Sequence, residues 1–178
     1  MKPAILRFVL GLEALVRAFG VLAAWISVLL VLVVAGDVFA RYFFRTGAVW
    51  AQEMQWHLLS PIALFGMSYA LLAGEQVRVD VFFERFPPGL QRALEVLGGI
   101  LIILFGVTLV WLSVPWVEMS YTRGEGSPNP GGLPYRFLLK AFIPAGFGLL
   151  AVQGLAHALR HGFDLPQHRQ QAQSANQG

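Results

Sequence analysis

Cysteine is absent from the 178 residues, which removes disulfide scaffolds, thiolate-held zinc or iron–sulfur centres and thiol nucleophiles together. Charge is scarce as well: Asp, Glu, Lys and Arg make up 13% of the chain and leave a formal net charge of +3. The basic residues are dispersed instead of gathered into a stripe, so a sequence pI of about 9.7 does not argue for a nucleic-acid partner, and none is expected. There is no Gly-Lys-Ser phosphate loop, no HExxH pair and no Ser-His-Asp set, so no enzyme is expected.

What the chain has in excess is apolar length. Hydrophobic residues account for 56% of it and the mean hydropathy is +0.61. A helix needs roughly 20 apolar residues to cross the hydrocarbon slab, and four stretches qualify: about 18–36, 56–73, 96–117 and 141–159. None shows the polar face at a period of 3.6 that a soluble helix would keep. The expected fold is therefore an all-α membrane protein of four transmembrane helices, forming one domain over residues 1–161.

The segments between the spans carry their own signals. Val79, Phe82, Phe83 and Phe86 recur at helical spacing with Asp80, Glu84 and Arg85 mostly elsewhere on the wheel, which fits a short interfacial helix over about 77–86 lying in the membrane plane between the second and third spans. A plain loop is the alternative. Pro87 and Pro88 would end that helix. Residues 162–178, rich in Gln and without an apolar period, are expected to form a disordered cytoplasmic tail. The first span is expected to stay on the chain, because Glu13 and Arg17 precede an apolar run longer than a signal peptide's and no small-residue cleavage site follows. Eight Lys and Arg residues flank the spans on the side of the termini and five on the other, which places both termini in the cytoplasm by the positive-inside rule.

Polar residues near the spans are few, and each has a bland reading beside a functional one. Asp37 and Arg41 stand one turn apart at the exit of the first span, as do Glu53 and His57 at the entry to the second. They read as ion-pair clusters fixing helix ends or as a relay or docking site. Arg78 and Asp80, close to Glu75, pose the same choice at the opposite surface. Small residues recur every fourth position at Gly66, Ala70 and Gly74 and again at Gly154, Ala158 and Gly162, a spacing that lets helices approach closely within the bundle or against a partner. Haem is held in many small four-helix subunits by histidines at mid-depth on facing helices. Here His57 lies in one span, His157 and His161 sit at the far end of another, and His168 is in the tail, so no cofactor is expected. A haem- or quinone-associated electron-transfer subunit is kept as the alternative function, and a stand-alone small transporter as a third.

Read in order, the segments Asp37-Val-Phe-Ala-Arg-Tyr-Phe-Phe, Trp50-Ala-Gln-Glu-Met, Gly74-Glu-Gln-Val-Arg-Val-Asp, Gly131-Gly-Leu-Pro and Ile143-Pro-Ala-Gly-Phe resemble the small membrane subunit, the Q subunit, of tripartite ATP-independent periplasmic (TRAP) transporters. The Val-Arg-Val-Asp-Val-Phe and Gly-Gly-Leu-Pro-Tyr stretches are most similar to the branch associated with mannitol, chloroaromatic and keto acid transporters. Two positions depart from that pattern: Trp56 stands where many members carry Arg, and Gln76 where His is usual. The resemblance implies a scaffold, in the bacterial inner membrane, for a large elevator-type membrane subunit that takes up an organic acid with sodium, the acid being delivered by a periplasmic substrate-binding protein. Large subunit, binding protein and membrane lipids are the implied partners. On this resemblance Trp50, Glu53, Arg78 and Asp80 carry structural or interface roles, and the outer-loop residues Arg41, Arg45, Arg123, Glu125 and Arg136 are the contacts for the periplasmic protein.

Overall fold

The computed structural model describes residues 2–45, 47–75, 83 and 86–165. Four long helices carry the four apolar stretches: α1 (Lys2–Phe44), α2 (Val49–Ala73), α3 (Pro88–Thr122) and α4 (Arg136–Gly162). All four are long and apolar enough to cross a membrane, and no strand occurs among the described residues. The expected interfacial helix over 77–86, with Arg78 and Asp80, lies outside the described residues except at Phe83 and Phe86, as does nearly all of the expected tail.

Each helix extends past the stretch that predicted it. The largest excess is in α1, whose 43 residues correspond to about 64 Å at 1.5 Å per residue, twice a hydrocarbon thickness of about 30 Å. Its first turns have a destination of their own: Val9 is fully buried against Ala156 and Leu165, flanked by Ile5, Leu6, Leu12 and Leu159. The N-terminal part of α1 thus packs on the end of α4. Farther along, Val16 and Ala23 join Phe65 of α2 and Leu149 of α4 in a second cluster, with Phe19 and Phe65 edge to face at 4.9 Å.

Helix ends are closed by left-handed residues. Gly74 (φ 72°) ends α2, its N–H bonding Leu71 O while the N–H of Glu75 reaches back to Ala70 O at 3.1 Å, a Schellman arrangement that satisfies carbonyls otherwise orphaned. The same pair of bonds closes α4 around Asp164, with Leu165 N–H donating to Arg160 O at 2.9 Å.

Three helices, α1, α2 and α4, pack on one another pairwise around a shared cluster, and α3 is added on the α4 side. α3 packs chiefly on α4, while α1 packs on both α2 and α4. The α3–α4 contact is close because glycines face it: a Cβ on Gly99 would lie 2.8 Å from Ala158 Cβ, one on Gly106 2.8 Å from Phe147 O, and one on Gly154 2.8 Å from Ile102 Cγ2. Such approach matters in lipid, where burial of apolar surface no longer drives helices together. The expected small-residue stripe on α4 therefore sits in a seam at Gly154 and Ala158. That on α2 does not: Gly66 has open space where its side chain would be, and Gly74 serves as the helix stop. The partners of Gly154 and Ala158 are Gly99 and Ile102, spaced along α3 without the four-residue repeat that marks α4.

Gly106→Leu is expected to destabilise the protein by about 1–3 kcal/mol through overpacking, read from unfolding in mixed detergent micelles. Gly98→Leu, one helical step from Gly99 but facing open space, should change stability little. Equal losses from both would mean that the seam is not tightly packed.

Candidate functional site

The charged side chains collect in two belts, one at each end of the helices, with only uncharged polar groups such as Ser68 and Gln153 buried between them. The belt at the loop side is built on Glu53, in the second turn of α2. Its carboxylate accepts hydrogen bonds from the Leu133 backbone N–H at 2.7 Å, Asn129 Nδ2 at 3.2 Å and Ser127 Oγ. Three donors on one carboxylate clasp the loop joining α3 to α4. The loop can fold around the carboxylate because Gly132 has no side chain: a Cβ there would stand 2.8 Å from Glu53 Oε2. His57, expected to partner Glu53, instead bonds the Glu53 backbone carbonyl at 2.8 Å. The side chain of Glu53 reaches across the fold, which helical spacing alone does not reveal.

Two further groups complete this belt. Asp37 of α1 pairs with Arg41 one turn on, at 2.7 Å, and accepts a longer bond from Gln55 Nε2 of α2 at 3.3 Å. Glu125, in the α3–α4 loop, pairs with Lys140 and accepts from Ser120 Oγ at 2.6 Å. Lys140 also stands over the Trp116 ring, 4.5 Å from its centroid, a cation–π contact. Arg136 opens α4, its backbone N–H donating to Glu125 O at 3.0 Å. Between α2, α3 and α4, Ser60, Trp116, Arg136 and Lys140 help to line a cavity of about 460 Å³. Lys140, then Ser120 and Arg136, hold the Glu125 carboxyl below the usual carboxylate range. Arg45 (φ 52°), Trp50 and Arg123 are exposed at this end.

The belt at the terminus side was not expected. Glu13 of α1 and Arg160 of α4 form a two-pronged ion pair, Nε to Oε1 at 2.8 Å and Nη2 to Oε2 at 2.6 Å. Their side chains are 4% and 8% exposed. Paired forks of this kind are the strong form of the Arg–carboxylate bond. On the α3 flank, His157 Nε2 meets Glu95 Oε2 at 2.8 Å, and Arg92 pairs with Asp164 at 2.7 Å. In the sequence these residues read only as flanking charges, since 147 positions separate Glu13 from Arg160. The available signal was weak: an acidic residue just ahead of the first span and a basic one just after the last, on the same side of the membrane.

Between the belts the outward faces are apolar. Trp25 of α1 is 70% exposed and Trp111 of α3 is 74% exposed. Only 6% of the most apolar window of α1 is buried inside the chain, against 28% for α4. A water-soluble protein does not leave so much apolar surface open, so these faces meet lipid or another membrane protein. The described histidines do not converge at mid-depth on facing helices, His157 and His161 being neighbours on one helix, an arrangement that does not fit a bis-histidine haem.

Neutralising one member of the buried pair leaves its partner uncompensated, a loss of about 3–5 kcal/mol. Glu13→Gln and Arg160→Gln are each expected to lose that much in micellar unfolding, while Glu13→Leu with Arg160→Met should recover most of it. Losses that simply add in the double variant would show that the two side chains act independently. A second expectation follows from Glu125. Its folded pKa is lowered, so its stabilising contribution is complete above an ordinary glutamate pKa of about 4.3 and drains away as pH falls through the lower folded value. Protection of the 124–135 loop against hydrogen exchange, taken relative to the intrinsic rate at each pH, should fall on acidification below that point, and Glu125→Gln should flatten the profile. An unchanged profile in that variant would assign the acid response to another group.

Comparison with known proteins agrees with this layout. Residues 30–162 match the family described as tripartite ATP-independent periplasmic transporters, DctQ component. The chain is 27% identical over 150 residues, 84% of its length and 74% of the relative's, to the ectoine TRAP transporter small permease protein TeaB of Halomonas elongata. It is 28% identical over 106 residues to the isethionate TRAP transporter permease protein DctMQ of Oleidesulfovibrio alaskensis. That alignment takes in 60% of this chain but only 16% of the larger protein. With the family matched across most of its length and four membrane-spanning helices in place, the chain belongs to the DctQ component family, the small permease subunits of TRAP transporters.

Proposed function

We propose that this small subunit braces a separate large membrane subunit in a bacterial inner membrane, where the large subunit moves an organic acid with sodium after delivery by a periplasmic binding protein. The observation that carries this reading is the contrast between the belts and the faces. The ion pairs described above lie at one end of the helices or the other, while the outer surfaces of α1 and α3 are open and apolar. A solute pathway through this chain would need polar groups at mid-depth. A brace needs apolar sides and firm ends.

The name DctMQ and the small share of that protein covered by this chain support a large partner that is joined to the small subunit in some relatives. The two relatives are named for different substrates, isethionate and ectoine, which supports leaving cargo selection to the other components. On this reading both termini are cytoplasmic, and Arg41, Arg45, Arg123 and Arg136 face the periplasmic protein. The α2 face at Gly66, where a side chain would meet open space, is a further place for the large subunit to approach.

Co-expression with the large subunit and binding protein tests the proposal. A photo-crosslinking residue at Trp25 or Trp111 should capture the large subunit, whereas one at the buried Leu149 should not. Proteoliposomes lacking this chain should lose sodium-driven uptake. Uptake by this chain alone, or full uptake without it, would overturn the assignment.

A further inference from the structure

Three side chains that a brace leaves idle meet at the terminus-side edge of the α3–α4 seam. Glu95 stands on the second turn of α3; His157 and His161, four residues apart, share one face of the last turns of α4. His157 Nε2 lies 2.8 Å from Glu95 Oε2, and the two imidazole centroids are 4.5 Å apart. One donor atom from each residue falls within 4.8 Å of both others. The side chains of His157 and Glu95 are 10% and 13% exposed, so the cluster is largely sheltered by the helices. Its span is set by backbone rather than by chance rotamers, because Gly99 touches Ala158 one turn along α3 and one residue along α4.

Two imidazoles and a carboxylate form the donor set with which zinc is held when a fourth position is left for water. Histidines at i and i+4 present two nitrogens to one ion from a single helix. Around a tetrahedral zinc with bonds of about 2.1 Å, neighbouring donors stand about 3.4 Å apart, a spacing that lies between the 2.8 Å of the His157–Glu95 contact and the 4.8 Å that bounds all three donors. The neighbouring cations do not oppose an ion, since Arg160 pairs with Glu13 and Arg92 with Asp164. Nitrogen donors beside a single carboxylate select a transition metal over magnesium or calcium. We propose that Glu95, His157 and His161 form a divalent transition-metal site, occupied by Zn²⁺, that clamps the start of α3 to the end of α4.

A hydrogen-bonded Glu95–His157 pair would need only two of the three residues, so His161 separates the two accounts. The full chain, purified in detergent with an affinity tag free of histidine and stripped with chelator, is titrated with Zn²⁺ by calorimetry. One ion per chain is expected, with a rise in the thermal midpoint. Co²⁺ in its place should give the visible absorption of a four-coordinate site. His161→Gln and Glu95→Gln should each weaken zinc binding by at least about tenfold, with helicity unchanged by circular dichroism. His57→Gln, at the opposite end of the helices, should bind like the parent. Less than one ion per chain, or a His161→Gln protein that binds and is stabilised as the parent is, would overturn the site. Should His157→Gln fail to fold, the His161 variant still decides.

Discussion

In a bilayer an apolar side chain gains almost nothing by leaving lipid for a neighbouring helix, so this chain needs other means to hold its helices together. It uses two. Glycines let α3 and α4 approach until backbone and side chain touch, at Gly99, Gly106 and Gly154, and the sum of many close contacts replaces the missing hydrophobic drive. Polar ties then fix what packing leaves loose. The deepest of them, Glu13 with Arg160, joins the first helix to the last and is sheltered from water at both ends. Without it the N-terminal turns of α1 would keep only the small cluster around Val9.

That tie also accounts for the role of α4. It contacts each of the other three helices, and its end carries Arg160, His157 and His161 while its start carries Arg136 and Lys140. Each is tied to it differently, α3 through the glycine seam, α2 through Phe65 against Phe142 at 6.1 Å and α1 through the buried ion pair, although α1 packs more extensively on α2. A hub of this kind can be less uniformly apolar than its neighbours, because its faces are spent on protein rather than on lipid. Gln153 and Gly154, buried in its middle, would be a cost on a lipid-facing helix.

How much of this was legible in the sequence depends on the range of the interaction. The four helices followed from run length, and the Asp37–Arg41 pair followed from one helical turn of spacing, because both are local. Their limits were less legible: apolarity marks where a helix meets lipid, while α1 continues through sixteen further residues ahead of Ala18 because α4 is there to receive them. Glu53 was singled out with the wrong partner, since helical spacing offered His57 and only the folded loop brings Ser127 and Leu133 to its carboxylate. Two segments that carry the family resemblance, around Trp50 and around Gly131, are thereby joined in space. Arg160 was counted only as a topology charge, Glu13 entered only the reading of the N-terminus, and Glu95 was not singled out. Charges that flank spans on one side of a membrane end at the same depth, so each is a candidate partner for the others, and which of them pair depends on how the helices pack.

Attachment of α3 chiefly through α4 leaves more apolar surface outside than closure around one axis would. Four helices closed around a common axis bury the most apolar parts of themselves and present four similar backs to the surroundings. Here α3 is attached along one side and α1 along another, so their best apolar windows remain outside, 11% and 6% buried. Such faces are indifferent between lipid and protein in hydrophobic terms, so what selects a neighbour is shape and the polar rim at each end. The belts supply that rim, with the loop clasped by Glu53 at one end and α1 tied to α4 at the other. Charge at both ends also fixes depth, because sliding along the membrane normal would carry those groups into hydrocarbon, where they are costly.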